Sequence, residues 1–323
     1  MVCHVIRYQN SKSPANSQVF WGVVEGDQIK TLDQIYETTQ QFLIEGREKA
    51  FLLAADDSIE PDIKTSEVRL LSPVTKPCQV LCQGANYRQH IIESGMNPDD
   101  KKYNMFFNKS SASITGPTDN VEKPEHVMLL DYEVELGLVI GKDVKSNCTI
   151  TDENIGHYVA GIVIGNDISA RDVQVPQMQF FKGKSYRSFC PVGPVLCLLQ
   201  PEDAHYLHDM LLTLSVNGEV RQQDSTRNLV FKPAETLTEL STVADLYTGD
   251  LVLTGTPAGC AMRIPPAFIT RASGLLPERI KWSLFTKMQA KRSQYLQRGD
   301  LIRSRIESSD GVINLGIQEN RVA

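Results

Sequence analysis

No stretch of this sequence approaches the roughly 20 consecutive apolar residues of a membrane-spanning helix. That argues against a helical membrane protein. Excess positive charge is missing too: 39 acidic residues outweigh 33 lysines and arginines, for a formal net charge of −6. Bulk electrostatics therefore offers nothing to attract nucleic acid or an anionic membrane surface. Cysteines are scarce and follow no pattern. There are seven, an odd number; Cys78 and Cys82 have three residues between them, and no Cys/His cluster lies nearby to complete a zinc knuckle. They read as reduced, mostly buried thiols of a cytoplasmic protein. The first residues, Met1 to Tyr8, lack the basic start and long apolar run of a signal peptide and read instead as a strand. No internal repeat or low-complexity tract is present. What remains is an ordinary globular composition, 41% hydrophobic and 22% charged over 323 residues, enough for one large domain or two ordinary ones.

Against this plain background one stretch stands out. From Leu129 to Ile140 the chain alternates: Tyr132, Val134, Leu136, Leu138 and Ile140 fall on one side of an extended strand, and Asp131, Glu133 and Glu135 on the other. Glu133 and Glu135 would lie about 7 Å apart at Cα, from the rise of a strand. Two carboxylates at that spacing can converge on one hard cation such as Mg²⁺ or Ca²⁺. They can equally be the solvated acidic face of a surface strand, and the stretch alone does not decide.

The flanking chain is strand-rich. Val2–Tyr8, Val19–Val24 and Gln28–Leu32 are short strand candidates, Asp33 to Ala55 a helix, and Val68–Leu71 a strand closed by Ser72-Pro73. Residues 1–72 thus form a small N-terminal domain, leaving 73–323 for a larger one. Gln79–Cys82 is a buried-strand candidate, and the helix after it carries His90 and Glu93 on one face. That pair could serve as a proton-transfer dyad, although the spacing also suits an ordinary surface pair. The apolar run Tyr158–Ile164 ends in Gly165-Asn166-Asp167. A carboxylate at the end of a buried strand is costly unless paired or bound to metal, so Asp167 is a natural third ligand, the plainer reading being a turn cap. Leu211–Val216, Asn217-Gly218 and Glu219–Gln222 read as a hairpin with a type I′ turn. Pro233 to Tyr247 reads as a helix, followed by the strand Leu251–Thr254 and a loop, Gly255-Thr256-Pro257-Ala258-Gly259. Residues 261–298 look like an insertion. From Arg263 to Arg298 it holds eight basic residues against the single acidic Glu278, and its apolar residues recur at helical spacing from Pro277. Strands close the chain at Leu301–Ile306 and Val312–Ile317. Many strands, few helices and no regular βαβ alternation imply a mainly β (α+β), mostly antiparallel fold.

Six segments, in this order, resemble the fumarylacetoacetate hydrolase family, in its smaller acylpyruvase-like branch. They are Gly84-Ala85-Asn86-Tyr87-Arg88-Gln89-His90, Asp131-Tyr132-Glu133-Val134-Glu135, Gly165-Asn166-Asp167 through Gln174, Gly183-Lys184-Ser185-Tyr186, Val216-Asn217-Gly218-Glu219 and Thr254 through Gly259. The resemblance covers about residues 76–260 and resumes near 298. It implies a β-rich core with a small N-terminal domain, a homodimer, and a Mg²⁺ or Mn²⁺ site. By resemblance Glu133, Glu135 and Asp167 are the metal ligands, Lys184 stabilises negative charge on a substrate oxygen, and His90 with Glu93 forms a lid dyad that activates water or shuttles protons. Arg171 and Gln174 match positions near the site in larger members, and Thr256 matches a substrate-contacting threonine. Two departures stand out: Ala85, where the small branch often has Arg or Leu, and the insertion, to which nothing carries over. The implied chemistry is hydrolytic cleavage of a C–C bond in a β-diketo acid or acylpyruvate through a metal-chelated enolate. Oxaloacetate-type decarboxylation and 2-hydroxydienoate isomerisation or hydration use the same enolate. A non-enzymatic alternative is a partner-binding module that uses the basic insertion.

Overall fold

A computed structural model gives the fold and describes residues 1–11, 18–263 and 276–323. β-Branched and aliphatic residues build two main sheets and two small two-stranded ones, as the strand-rich pattern predicts. The large one has eleven strands. Its order runs Ile63–Lys64, Gln28–Thr31, Phe20–Glu25, Cys3–Asn10, Val195–Leu198, Val159–Asn166, Val134–Ile140, Leu251–Leu253, Val80–Gly84, Met105–Lys109, with Val68–Leu71 also on Cys3–Asn10. Its pairings are antiparallel except Leu251–Leu253 with Val80–Gly84. The smaller sheet is antiparallel throughout, in the order Glu219–Ser225, Met210–Val216, Leu301–Ser308, Asn314–Arg321. The N-terminal strands join the large sheet directly, Cys3 to Ile6 pairing with Leu198 to Val195. Leu136, Leu138 and Ile140 pack in one core with Leu212, Leu214, Ile302 and Ile306 of the small sheet; Val139 faces a second core that holds Trp21 and Phe42. The central strand is thus buried on both sides, and a one-residue slip would carry Glu135 into the apolar core of Leu136, Leu138 and Ile140, which fixes its register.

Local chemistry sets the element ends. The Asn217-Gly218 turn has φ of 52° and 85°, as a type I′ turn requires. The helix expected from Asp33 begins instead at Thr39, because Thr38 accepts a hydrogen bond from the Gln41 N–H at 3.0 Å. Ahead of it the Tyr36 carbonyl accepts from Trp21 Nε1 at 3.1 Å and so is not free for a helix. Gly46 persists inside this helical stretch because a Cβ there would lie 2.6 Å from the Tyr36 ring. The helix expected over Pro233–Tyr247 stops at Leu240. There the Ser241 hydroxyl donates back to the Thr238 carbonyl (2.7 Å), and the Ser241 carbonyl accepts from the Asn147 N–H (3.1 Å). In the insertion the helix is Glu278–Gln289, shorter than the expected span to Leu296. All seven cysteines are free, and among the described residues no helix is long and apolar enough to cross a membrane.

Gln222 locks the small sheet to the central strand. Its buried side chain accepts from the Val134 N–H at 3.0 Å and donates to Thr256 Oγ1 at 2.8 Å and the Pro257 carbonyl at 2.9 Å. Gln222→Leu leaves the buried Val134 N–H unpaired and is expected to lower the unfolding free energy by about 2–4 kcal/mol. Urea denaturation of both proteins checks this; a loss below ~1 kcal/mol would show that the cross-link is dispensable.

Candidate metal centre

The acidic stretch is not one continuous strand. Leu130–Asp131 pairs with Ser169–Ala170, and Val134–Ile140 enters the large sheet. Between them Tyr132 and Glu133 leave the ladder, and side chains replace the missing partners. The Glu133 N–H donates to Asn166 Oδ1 at 3.0 Å, and the Asp167 N–H donates to the Glu133 carbonyl at 2.8 Å. Glu133 is thereby tied to the end of the strand that delivers Asp167. A solvated acidic face is ruled out: Asp131, Glu133, Glu135 and Asp167 are at most 5% exposed.

Glu133, Glu135 and Asp167 converge, each presenting an oxygen within 4.8 Å of the others. Three basic side chains surround them. Lys184 Nζ donates to Glu133 Oε2 and Asp167 Oδ2, both at 2.5 Å, and to Ser169 Oγ at 2.8 Å. Lys109 Nζ donates to Asp167 Oδ1 at 2.6 Å. Arg171 grips Asp131 Oδ2 at 2.8 Å and Glu133 Oε1 at 2.5 Å. Burial would raise the Glu133 carboxyl, but Arg171 and then Lys184 outweigh it and hold it below the usual range. Burial would lower Lys184, yet Asp167 and Glu133 hold it above its ordinary value, so it stays a cation.

Glu135 is the exception. It accepts one backbone bond, from the Gly255 N–H at 2.7 Å, and among the described residues has no salt bridge. Burial, then the Asp167 and Glu133 charges, push its carboxyl well above the ordinary 4.5. Four buried carboxyl groups (Asp131, Glu133, Glu135, Asp167) face three buried cations (Lys109, Arg171, Lys184): the cluster balances with Glu135 protonated, and one negative charge is left over when Glu135 ionises. An all-oxygen trio with surplus negative charge fits a hard divalent cation.

The other expected site residues gather here with different local partners. His90 reaches the cluster: it, Glu133 and Cys260 present ligand-type atoms within 4.8 Å of one another. Its expected partner does not pair with it. Glu93 instead accepts from the Gly259 N–H at 3.2 Å and forms an ion pair with Arg263. The His90 Nδ1 atom is buried with no hydrogen-bond partner, and burial lowers the imidazole below its ordinary value. Gln174 Oε1 accepts from Arg171 Nη1 at 2.9 Å and so orients the guanidinium. The Thr256 hydroxyl donates to the Val134 carbonyl at 2.9 Å, which fastens the Thr254–Gly259 loop to the central strand.

Sequence reasoning gave Lys109, Asp131, Gln222 and Cys260 no role. Lys109 had a signal: a lysine closing the apolar run Met105-Phe106-Phe107 belongs to a buried strand and needs a buried counter-charge. Asp131 roots the insertion. It accepts the N–H groups of Ala261 (2.7 Å) and Met262 (3.1 Å), while Arg292 Nε donates to the Ala261 carbonyl (2.9 Å) and Gln289 Nε2 to the Arg263 carbonyl (2.6 Å). The insertion therefore leaves and re-enters the fold at the edge of the carboxylate cluster.

Residues 79–323 match the family model described as fumarylacetoacetate (FAA) hydrolase C-terminal. The chain is 36% identical over 254 residues to the mitochondrial oxaloacetate tautomerase Fahd2a of Rattus norvegicus, a match covering 77% of this chain and 78% of that one. It is 41% identical over 211 residues to oxaloacetate tautomerase YisK of Bacillus subtilis, covering 63% and 67%. A solved structure of fumarylacetoacetate hydrolase from psychrophilic Exiguobacterium antarcticum matches with a TM-score of 0.71 at 30% identity, over 99% of both chains.

Because burial and the neighbouring charges favour the protonated Glu135 carboxyl and a bound cation favours the ionised one, adding Mg²⁺ or Mn²⁺ is expected to release protons, more of them as the pH is lowered. The folded-state pKa is raised, so without metal the contribution of Glu135 to stability is full below 4.5 and is lost as pH rises through the raised value. Calorimetry in two buffers of different ionisation enthalpy measures the released proton. Glu135→Gln is expected to abolish both heat and proton release; unchanged metal binding in that variant would remove Glu135 from the site.

Proposed function

The chain belongs to the fumarylacetoacetate hydrolase family, and from that membership we propose that it is a divalent-metal-dependent enzyme that interconverts the enol and keto forms of a short 2-oxo dicarboxylic acid of the oxaloacetate type. The observation that carries this is the buried trio Glu133, Glu135 and Asp167, of which Glu135 has no basic partner among the described residues, set against the cation Lys184. The named activities of the rat and Bacillus relatives support the substrate class. Glu133, Glu135 and Asp167 would hold Mg²⁺ or Mn²⁺, as oxygen donors suit either. When bound, the ion supplies Lewis-acid stabilisation of charge on the 2-oxo oxygen.

The chain's own residues do the rest. Lys184, kept protonated by Asp167 and Glu133, offers a fixed positive charge to the oxygen that becomes anionic on enolisation. His90, held neutral by burial and with Nδ1 unpartnered, can take the C3 proton of the keto form as the C2=C3 bond forms, the enolate oxygen then taking a proton from water to give the enol; in reverse the enol O–H proton goes to water and the imidazolium returns the proton to C3. Arg171, fixed by Asp131 and Gln174, orients Glu133 rather than acting as a free substrate clamp. Enolisation needs no attacking water. The C–C hydrolase expectation needs a base organised to activate one, and it has less support because Glu93 is engaged by Arg263 and Gly259 rather than by His90. Homodimer assembly, expected from the resemblance, belongs to the same proposal.

The test follows the ultraviolet absorbance of enol-oxaloacetate with Mg²⁺ present or chelated. Acceleration that disappears on chelation is expected. Lys184→Met should lower kcat/KM about 10²–10³-fold, and His90→Gln about 10²–10⁴-fold, with metal still bound. The acid limb of kcat/KM should fall below pH 6.5, because His90 must be neutral and its pKa is lowered. Rapid release of pyruvate and an acid from acylpyruvates, with no effect on enol-oxaloacetate, would overturn the proposal in favour of hydrolysis.

A further inference from the structure

Cys260 has no part in that chemistry, yet it sits against it. The residue follows the Thr254–Gly259 loop and is 4% exposed. Its Sγ lies 3.8 Å from Glu133 Oε1, 3.7 Å from Gln222 Nε2 and 4.0 Å from the Pro257 carbonyl oxygen, all at the long limit of sulfur contacts. The buried Nδ1 of His90 has no hydrogen-bond partner. His90, Glu133 and Cys260 each present a ligand-type atom within 4.8 Å of the others.

We infer that His90, Cys260 and Glu133 form a binding site for a thiophilic divalent cation such as Zn²⁺, distinct in chemistry from the all-oxygen trio but sharing Glu133 with it. Sulfur, imidazole nitrogen and carboxylate oxygen are the donors that zinc selects, whereas Mg²⁺ discriminates against the first two. Zinc bond lengths of about 2.0–2.3 Å put tetrahedral donors about 3.3–3.6 Å apart. The Cys260–Glu133 separation of 3.8 Å is close to that edge before any adjustment. On binding, the Cys260 S–H bond breaks, its proton passes to water and the sulfur–metal bond forms; nothing is oxidised or reduced. Arg171 now donates to Glu133 Oε1 at 2.5 Å and is the group displaced. It keeps its bonds to Asp131 (2.8 Å) and Gln174 (2.9 Å), so the guanidinium is not left unpaired.

Occupation would remove the lone pair of His90 and one oxygen of Glu133 from the enolising machinery, making the ion an inhibitor. That consequence rests on the proposed function; the binding itself does not. The metal-free full-length protein is titrated with Co²⁺ alone, read by near-ultraviolet thiolate-to-cobalt charge-transfer absorption, and the cobalt is then chased with Zn²⁺. The wild type should show the band, and Cys260→Ser should lose it at an unchanged circular dichroism spectrum. His90→Gln keeps the thiol and should weaken Co²⁺ binding about 10–100-fold, which covers the case in which Cys260→Ser misfolds. With saturating Mg²⁺ and enol-oxaloacetate as substrate, near-stoichiometric Zn²⁺ should inhibit the wild type. Cys260→Ser, measured against its own Mg²⁺ rate, should need at least about tenfold more. No band in the wild type, or a band that survives both substitutions, overturns the inference. Absence of oxaloacetate turnover would count against the proposed function and leave the spectroscopic result to decide this one.

Discussion

The structure depends on one buried carboxyl, Glu135, for which the fold supplies no basic partner among the described residues. Four carboxylates are withdrawn from water by the central strand and its neighbours, and only three basic side chains follow them in. Burying an ion costs several kcal/mol unless a partner offsets it. Lys109, Arg171 and Lys184 do so for Asp167, Asp131 and Glu133, and Glu135 is left to hold a proton or await a cation. The cost is concentrated at one carboxyl, and under the proposed function a divalent cation held by the trio would relieve it.

The scaffold around it is organised to keep that carboxyl in place. The central strand is buried on both faces with Glu135 opposite Leu136, Leu138 and Ile140, so a slip of one residue would force that carboxyl into the apolar core. Where the strand breaks at Tyr132 and Glu133, Asn166 and Gln222 supply the hydrogen bonds the ladder lacks. The break turns the Glu133 carboxylate toward Asp167 and away from the sheet. Asp131 does not join the trio. It anchors Arg171 on one side and the root of the insertion on the other, which couples the basic segment mechanically to the site.

Much of this was legible in the sequence, because alternation reports directly on which side a strand side chain points. Glu133 and Glu135 could be paired by period alone, and Asp167 by its place at the end of an apolar run. The hairpin at Asn217-Gly218 follows from the φ values that only such residues adopt readily. Partnership was harder to read. His90 and Glu93 share a helix face, yet Glu93 turns to Arg263, 170 positions along the chain. Lys109 and Gln222 act through long-range bonds that no local pattern encodes. The same limit applies to helix ends: beside the local Thr38 cap and Ser241 back-bond, the Tyr36 and Ser241 carbonyls are taken by Trp21 and Asn147, distant partners that propensity does not contain.

The most direct test is the anomalous scattering of Mn²⁺ in crystals of the protein grown with and without that ion. One peak among the oxygens of Glu133, Glu135 and Asp167, with Glu135 turned toward it and Lys184 retained at Glu133 and Asp167, is the predicted result. A manganese-saturated crystal in which those three carboxylates hold no ion, and Glu135 remains bonded to Gly255 alone, would contradict it.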